Sequence, residues 1–357
     1  MTLKTPKMSP HPIPWALAVL MLAGTVTLAQ GPGAPPAPPT AAPAAAPAAT
    51  PTPDSSRTVA PAPAAAAPSP PPSPNNSIRG KVSAHDLLSA ESVLEVYRAK
   101  NGENAAYLVG LSWLARGALL VGDGEKADRY AAAARARCAD SVAHGTDLAK
   151  NQDIEIALGA AIEVAAQRLA LARGKQAAAT YLRAELATFK GPVSFRSRLN
   201  KRLNMLTLVG SPAPELAMED FVGDPPPTLA SLRGKPVLLF VWAEWCADCR
   251  AQEASLAQIQ SRYAGKGLQI IALTRYYQAD TARVREKARV DSVWKADYRG
   301  LGTIPIVLST ASLERYGGSS TPTFVFIDRA GIVRRYTPTR LTEAEFDRTL
   351  SALVRSN

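Results

Sequence analysis

Residues 236–249 read Pro236-Val-Leu-Leu-Phe-Val-Trp-Ala-Glu-Trp-Cys-Ala-Asp-Cys249, an apolar run that ends on two cysteines three positions apart. The run from Pro236 to Trp242 is continuous, as expected of a strand buried on both faces. Ala247 to Tyr263 reads as the helix that follows. A strand feeding a Cys-x-x-Cys at the start of a helix puts both sulfurs within one helical turn, where they can close a disulfide ring. Cys246 stands where the first turn offers unpaired N–H groups and a positive dipole end, and both favour thiolate over thiol. It is the candidate nucleophile. Cys249, one turn inward, is the candidate resolving thiol that attacks a mixed disulfide. The competing readings are half of a zinc site and two incidental cysteines. Zinc asks for four ligands. The chain has three cysteines and three histidines, and His11, His85 and His144 all lie outside this region. No metal is therefore expected.

Outward from this segment, strands and helices alternate. Leu268 to Thr274 and Ile304 to Leu308 read as strands, with a charged helix from Thr281 to Val290 between them. Thr323 to Asp328 and Ile332 to Tyr336 flank Arg329-Ala-Gly331, a hairpin signal. Leu341 to Val354 closes the chain as an amphipathic helix. The order β-α-β-α-β-β-α predicts an α/β domain over residues 206–357, with a central mixed sheet flanked by helices. Thr321-Pro322-Thr323 leads into the first arm of the hairpin. A cis proline there brings its loop beside the cysteines. It also leaves the N–H and C=O of Thr321 outside the sheet, free to hold an extended substrate strand.

Residues 209–357 resemble the thioredoxin-like domains of the TlpA family, exported thiol–disulfide reductases that include cytochrome c maturation proteins. The resemblance is carried by Gly210-Ser-Pro-Ala-Pro214, by Leu229-Ala-Ser-Leu-Arg-Gly-Lys-Pro236, by Trp242-Ala-Glu-Trp-Cys-Ala-Asp-Cys249 and by Pro322-Thr-Phe-Val-Phe-Ile-Asp-Arg-Ala-Gly331. It implies Cys246 as nucleophile, Cys249 as resolving cysteine, Trp245 as a packing shelf and Pro322 as the cis-proline, with no cofactor beyond the redox-active disulfide Cys246–Cys249. The implied partners are protein disulfide substrates and a membrane thiol that donates electrons. Three positions depart from the family pattern. Asp248 replaces the usual proline before the second cysteine, and a carboxylate there opposes thiolate formation. Gln252 stands where members often carry glutamate, which leaves its neighbour Glu253 as candidate proton acceptor, with a plain surface glutamate as the alternative. Phe240 replaces the buried aspartate of cytoplasmic thioredoxins.

Toward the N-terminus the composition changes twice. Residues 78–205 read as a separate all-α domain of helical hairpins, with apolar faces such as Leu108, Leu111, Leu114 and Ala115 or Ile154, Leu158, Ile162, Ala165 and Leu169. Gly124-Glu-Lys-Ala127 recurs as Gly174-Lys-Gln-Ala177, a weak repeat of tetratricopeptide-like character. Partner docking and a plain helical bundle are the two readings of this region. Arg196, Arg198, Lys201 and Arg202 near its end read as a solvated helix terminus. Cys138, in an alanine-rich stretch, reads as a small core residue. Residues 30–77 are an Ala/Pro-rich spacer, with sixteen of the thirty prolines between 31 and 76, too poor in apolar surface to order. Residues 1–29 have the form of a signal peptide: Lys4 and Lys7, an apolar centre around Trp15 to Ala23, and Thr27-Leu28-Ala29 before Gln30. Export to the periplasm or cell envelope follows, with an uncleaved anchor as the alternative.

The net charge of +11 is diffuse, and no nucleic-acid motif accompanies it, so nucleic-acid binding is set aside. A copper chaperone would want Cys-x-x-x-Cys. A peroxiredoxin would want Thr or Ser three residues before its reactive cysteine, where this chain has Ala243. What remains is an exported oxidoreductase that reduces protein disulfides. The alternative is an envelope interaction module in which the helical domain docks partners and the α/β domain is mainly a scaffold.

Overall fold

The computed structural model describes residues 73–302 and 304–355. The signal peptide expected at 1–29 and the spacer expected at 30–77, except its last five residues, lie outside the described residues. Those last residues already enter a helix.

Six helices come first: α1 (Asn75–Ser83), α2 (Leu87–Asn101), α3 (Ala105–Leu120), α4 (Gly124–Ala143), α5 (Gln152–Thr188) and α6 (Val193–Thr207). Short polar side chains set four of the starts. Asp86, Asn104, Asp123 and Asn151 each accept a hydrogen bond from the N–H three residues on, which satisfies a donor the first turn leaves unpaired. The repeat glycines mark helix starts as well. Gly124 opens α4, and Gly174, at φ 84°, breaks α5 into two helices. The buried face of α4 is Ala127, Ala131, Ala134 and Cys138, small residues that let α3 and α5 close in on either side.

The C-terminal region adds β1 (Asp220–Val222), β2 (Val237–Val241), α7 (Ala247–Arg250), α8 (Glu253–Tyr263), β3 (Gln269–Thr274), α9 (Arg283–Asp297), β4 (Ile306–Leu308), α10 (Thr310–Arg315), β5 (Thr323–Ile327), β6 (Val333–Thr337) and α11 (Glu343–Arg355). The six strands form one mixed sheet in the order β1-β4-β3-β2-β5-β6. β2, β3 and β4 run parallel, while β1, β5 and β6 are antiparallel to their neighbours. β2 is central and its five residues are all buried. Phe240 and Trp242 join Leu256, Trp294, Phe346 and Leu350 of the helices on one face. Leu239 and Val241 join Leu208, Leu313 and Tyr316 on the other. Each such side chain contributes about 1.5–3 kcal/mol on burial, which is why this run can only be the middle of a layered core. The arrangement is a thioredoxin-like fold.

Several expectations are corrected. The helix read from Ala247 to Tyr263 is two, α7 and α8, separated at Ala251-Gln252. The charged helix extends to Asp297, because Trp294 carries its buried face past Val290. The edge strand β1 and the short helix α10 were not foreseen; three and six residues are too few for a periodic signal. The boundary read between 205 and 206 falls inside α6. The basic cluster is not a solvated helix end. On α6, Arg198 and Arg202 converge on the buried Glu163 of α5, together with Arg116 of α3, and Arg196 holds Glu314 of α10.

Candidate active site

The parallel strands β2 and β3 end side by side, with Val241 opposite Leu273, and the chain leaving β2 runs directly into Trp242-Ala-Glu-Trp-Cys246. On the other side of β2, Val241 pairs with Thr323 at the start of β5. The loop before Thr323 therefore lies at the same edge of the sheet as the cysteines. Thr321-Pro322 is a cis peptide bond, and Thr321 lies two residues beyond the last ladder pair, Val241 with Thr323. In this way the topology brings residues 245, 246, 249, 321 and 322 to one edge.

Cys246 and Cys249 are joined as a disulfide. Cys246 is the N-cap of α7, and its Sγ accepts a hydrogen bond from the Cys249 N–H at 3.1 Å. This is the interaction that favours a thiolate once the pair is reduced. Cys246 keeps a trace of exposure at 5% and Cys249 has none. Beneath them lies an aromatic floor: Phe240 stacks on Phe324 at 5.3 Å and Trp242 meets Tyr298 edge-on at 5.2 Å. Such apolar surroundings penalise charge, and Cys249 lies deeper in them than Cys246.

Trp245 is 55% exposed and leans edge-on against Tyr277 at 5.6 Å, while Arg275 covers the tyrosine ring. Tyr277 is fixed by its N–H, donated to the buried Glu286 at 2.7 Å. Trp245 thus presents a flat apolar surface on the rim of the disulfide. Asp248 points to solvent and forms an ion pair with Arg340 at 3.6 Å. Gln252 does different work from an acid: its amide clasps the backbone of Leu341, donating to the C=O and accepting from the N–H. It ties the start of α8 to the loop before α11. Glu253 accepts from the Gly300 N–H at 2.9 Å, which directs its carboxylate to the turn at Arg299–Leu301. No hydrogen bond joins it to either cysteine. Cys138 is remote in sequence and fold, sealed in the helical core, where burial pushes its thiol up to about 12.

Three groups here had no sequence signal that singled them out. Glu244, two residues before Cys246, is buried. Burial raises its carboxyl above the usual range, Arg289 at 3.2 Å opposes the shift, and Glu286 adds to it. Arg250 donates to the C=O of Glu244 at 2.7 Å and pairs with Asp297, bracing the turn that carries Cys246. Arg340 faces Asp248 from 92 residues downstream, a pairing that only the fold makes. An acid inside an apolar run is the one clue that could have drawn attention to Glu244.

Residues 209–336 match the AhpC/TSA family. The thiol:disulfide interchange protein DsbE of Pseudomonas fluorescens biotype C is 31% identical over 128 residues, which is 36% of this chain and 65% of that protein. The thioredoxin-like protein YneN of Bacillus subtilis is 27% identical, over 40% of this chain and 78% of its own length. The thiol-disulfide oxidoreductase ResA of Geobacillus thermodenitrificans is 29% identical over 41% and 78%. Among solved structures, a putative thiol:disulfide interchange protein DsbE from Chlorobium tepidum is 21% identical, covering 41% of this chain and 97% of that one, with a TM-score of 0.34. This chain thus spans just under two thirds of the Pseudomonas DsbE that it resembles.

Proposed function

We propose that this protein is a thiol–disulfide oxidoreductase that reduces disulfides of other proteins outside the cytoplasm, with Cys246 as nucleophile and Cys249 as resolving thiol. The observation that carries the reading is the Cys246–Cys249 disulfide at the start of α7, at the sheet edge where the Thr321-Pro322 loop lies. The names of the relatives support it. In the reduced protein, the Cys246 thiolate attacks one sulfur of a substrate disulfide. A mixed disulfide forms, and the other substrate sulfur leaves as a thiolate. The Cys249 thiol gives up its proton and attacks the Cys246 sulfur, which releases the second substrate thiolate and closes Cys246–Cys249. Two electrons pass from the dithiol to the substrate, and the freed thiolates take up protons. The Thr321 main chain would hold the substrate as an extended strand, with Trp245 beneath it. A membrane thiol would then return the pair to the dithiol. Export rests on the leader and spacer read at 1–77.

A second reading, docking by the tetratricopeptide-like helical region, is favoured by α2, which leaves Leu88 72% and Val96 57% exposed.

Trapping tests the proposal. In the native host, Cys249→Ala should accumulate dithiothreitol-sensitive adducts with extracytoplasmic proteins, because the mixed disulfide cannot be resolved. The double variant Cys246→Ser/Cys249→Ala should accumulate none. Adducts that persist without Cys246, or an empty trap, would sink the assignment.

Redox poise is a further expected result. The α7 N-terminus and the Cys249 N–H stabilise the Cys246 thiolate, Asp248 opposes it, and Arg340 partly offsets Asp248. Modest stabilisation of the reduced form predicts a potential near about −270 mV, as in thioredoxin, rather than about −120 mV, as in a dedicated oxidant. Equilibration with dithiothreitol or glutathione buffers measures it. A value above about −180 mV, typical of isomerases, would turn the direction of the reaction toward oxidation or isomerisation.

A further inference from the structure

α6 belongs to the helical region in sequence, yet it lies against the segment that leads into the Thr321-Pro322 loop. Arg196 grips the Glu314 carboxylate with two hydrogen bonds of 2.7 Å. Asn204 donates from its side-chain amide to the C=O of Arg315 at 3.0 Å. Gly317, at φ 67°, has no room for a side chain, since a Cβ there would strike the main chain of Lys201. At the end of this seam the Lys201 ammonium donates to the Ser320 hydroxyl at 2.9 Å. Ser320 is the residue before Thr321, and its C=O accepts from the Thr323 hydroxyl at 2.7 Å. Both sides of Thr321-Pro322 are therefore tied down, and one tie comes from the helical region.

From this seam we infer that α6 is the back wall of the substrate loop and that Lys201 is a positioning residue for Thr321, acting through Ser320. The inference rests on the proposed dithiol chemistry for its consequence, but not for its geometry. Lys201 lies on α6. It is half-buried, and the charged groups around it are Glu163 of α5, Arg198 and Arg202 of α6 and Arg116 of α3. Burial pushes its ammonium down to about 8, with Glu163 opposing and the arginines adding to the shift. Half-buried on α6 and hydrogen-bonded to Ser320, the ammonium links the helical region directly to the loop. The helical region is then part of the substrate site, as the element that holds a main-chain strand ready for pairing. A loop ordered before binding loses less entropy on association.

Lys201→Met keeps the length of the stem and removes the donor. Ser320→Ala removes the acceptor from the other side and serves if the first variant is unstable. In full-length protein, hydrogen exchange of the 317–321 amides should quicken in either variant and return toward wild type in Lys201→Arg. With a peptide disulfide as substrate, KM should rise about tenfold, the size of one charge-assisted hydrogen bond, while kcat changes less than KM. Reaction of the Cys246–Cys249 disulfide with dithiothreitol, which needs no strand pairing, should slow less than peptide reduction in Lys201→Met. The double variant should be no worse than either single one, as expected for two ends of one interaction. Unchanged loop exchange, or an equal loss with peptide and dithiothreitol, would overturn the positioning role. If the wild-type protein failed to reduce the peptide at all, the proposed function would fall while the loop measurement still decided the wall.

Discussion

Cys246→Ser is expected to abolish reduction of insulin by dithiothreitol through this protein, lowering the catalysed rate by about a thousandfold or more, since the attacking thiolate is lost. The physical reason is local. Cys246 is the N-cap of α7 and receives the Cys249 N–H at 3.1 Å, so the start of a helix stabilises charge on this sulfur. A serine hydroxyl in the same place would accept the same hydrogen bond and leave the fold intact, yet it does not ionise near neutral pH. The loss should therefore appear in turnover, with little change in thermal midpoint relative to the reduced wild-type protein, which like the variant lacks the Cys246–Cys249 cross-link. Cys138→Ser is the control for a third functional thiol. Its burial holds the sulfur protonated, so activity should stay within about twofold of wild type. Insulin assays of the three proteins, with thermal melts alongside, decide the matter. Substantial activity in Cys246→Ser, or a large loss in Cys138→Ser, would move the chemistry elsewhere.

Glu163→Gln should be the most destabilising single change among the charged residues, by about 3–5 kcal/mol, the usual cost of removing one partner from a buried ion cluster. Glu163 is 3% exposed. Its Oε2 accepts from Arg116 at 2.8 Å and from Arg198 at 2.9 Å, and Arg202 lies 3.7 Å from Oε1. Burial alone would raise this carboxyl. Arg198, Lys201, Arg116 and Arg202 outweigh it and hold the group well below the usual carboxylate range. A glutamine keeps the shape and withdraws the negative charge that Arg116, Arg198 and Arg202 share. The pH dependence follows from the sign of the shift. With its folded-state value depressed, Glu163 contributes stability that is fully present above its ordinary value of 4.5 and fades as pH falls toward the folded one. The gap between wild type and variant, measured by urea unfolding, should be constant from about pH 7 to pH 5 and shrink below that. A loss under about 1 kcal/mol at neutral pH, the range of exposed pairs, would mean that water rather than arginine solvates this carboxylate.

The thioredoxin-like fold was legible because its strongest elements are local. An apolar run with Cys-x-x-Cys at its end states a buried strand, a turn and a helix start in fourteen consecutive residues, 236–249. The hairpin at Arg329-Ala-Gly331 is equally local, as are the helical faces of residues 78–205. The resemblance to exported reductases then pointed to Trp245, Cys246, Cys249 and Pro322, the Thr-Pro-Thr segment itself pointed to Thr321, and the sheet brings all five to one edge.

What stayed hidden was pairing at a distance. A charged side chain looks the same in a sequence whether it faces water or a partner. Arg196, Arg198, Lys201 and Arg202 therefore read as a solvated helix end, although their partners are Glu314, Glu163 and Ser320. Glu253 lay within reach of Cys249 by helical spacing, and the fold sends it to Gly300 instead. The sequence by itself determined the Cys-x-x-Cys pair and the strand that delivers it, because those choices are written in neighbouring positions. Only the tertiary structure decided which carboxylate meets which cation, and that α6 packs against the segment leading into the Thr321-Pro322 loop. Those contacts join residues from 35 to 119 positions apart, and no local preference of the chain records them.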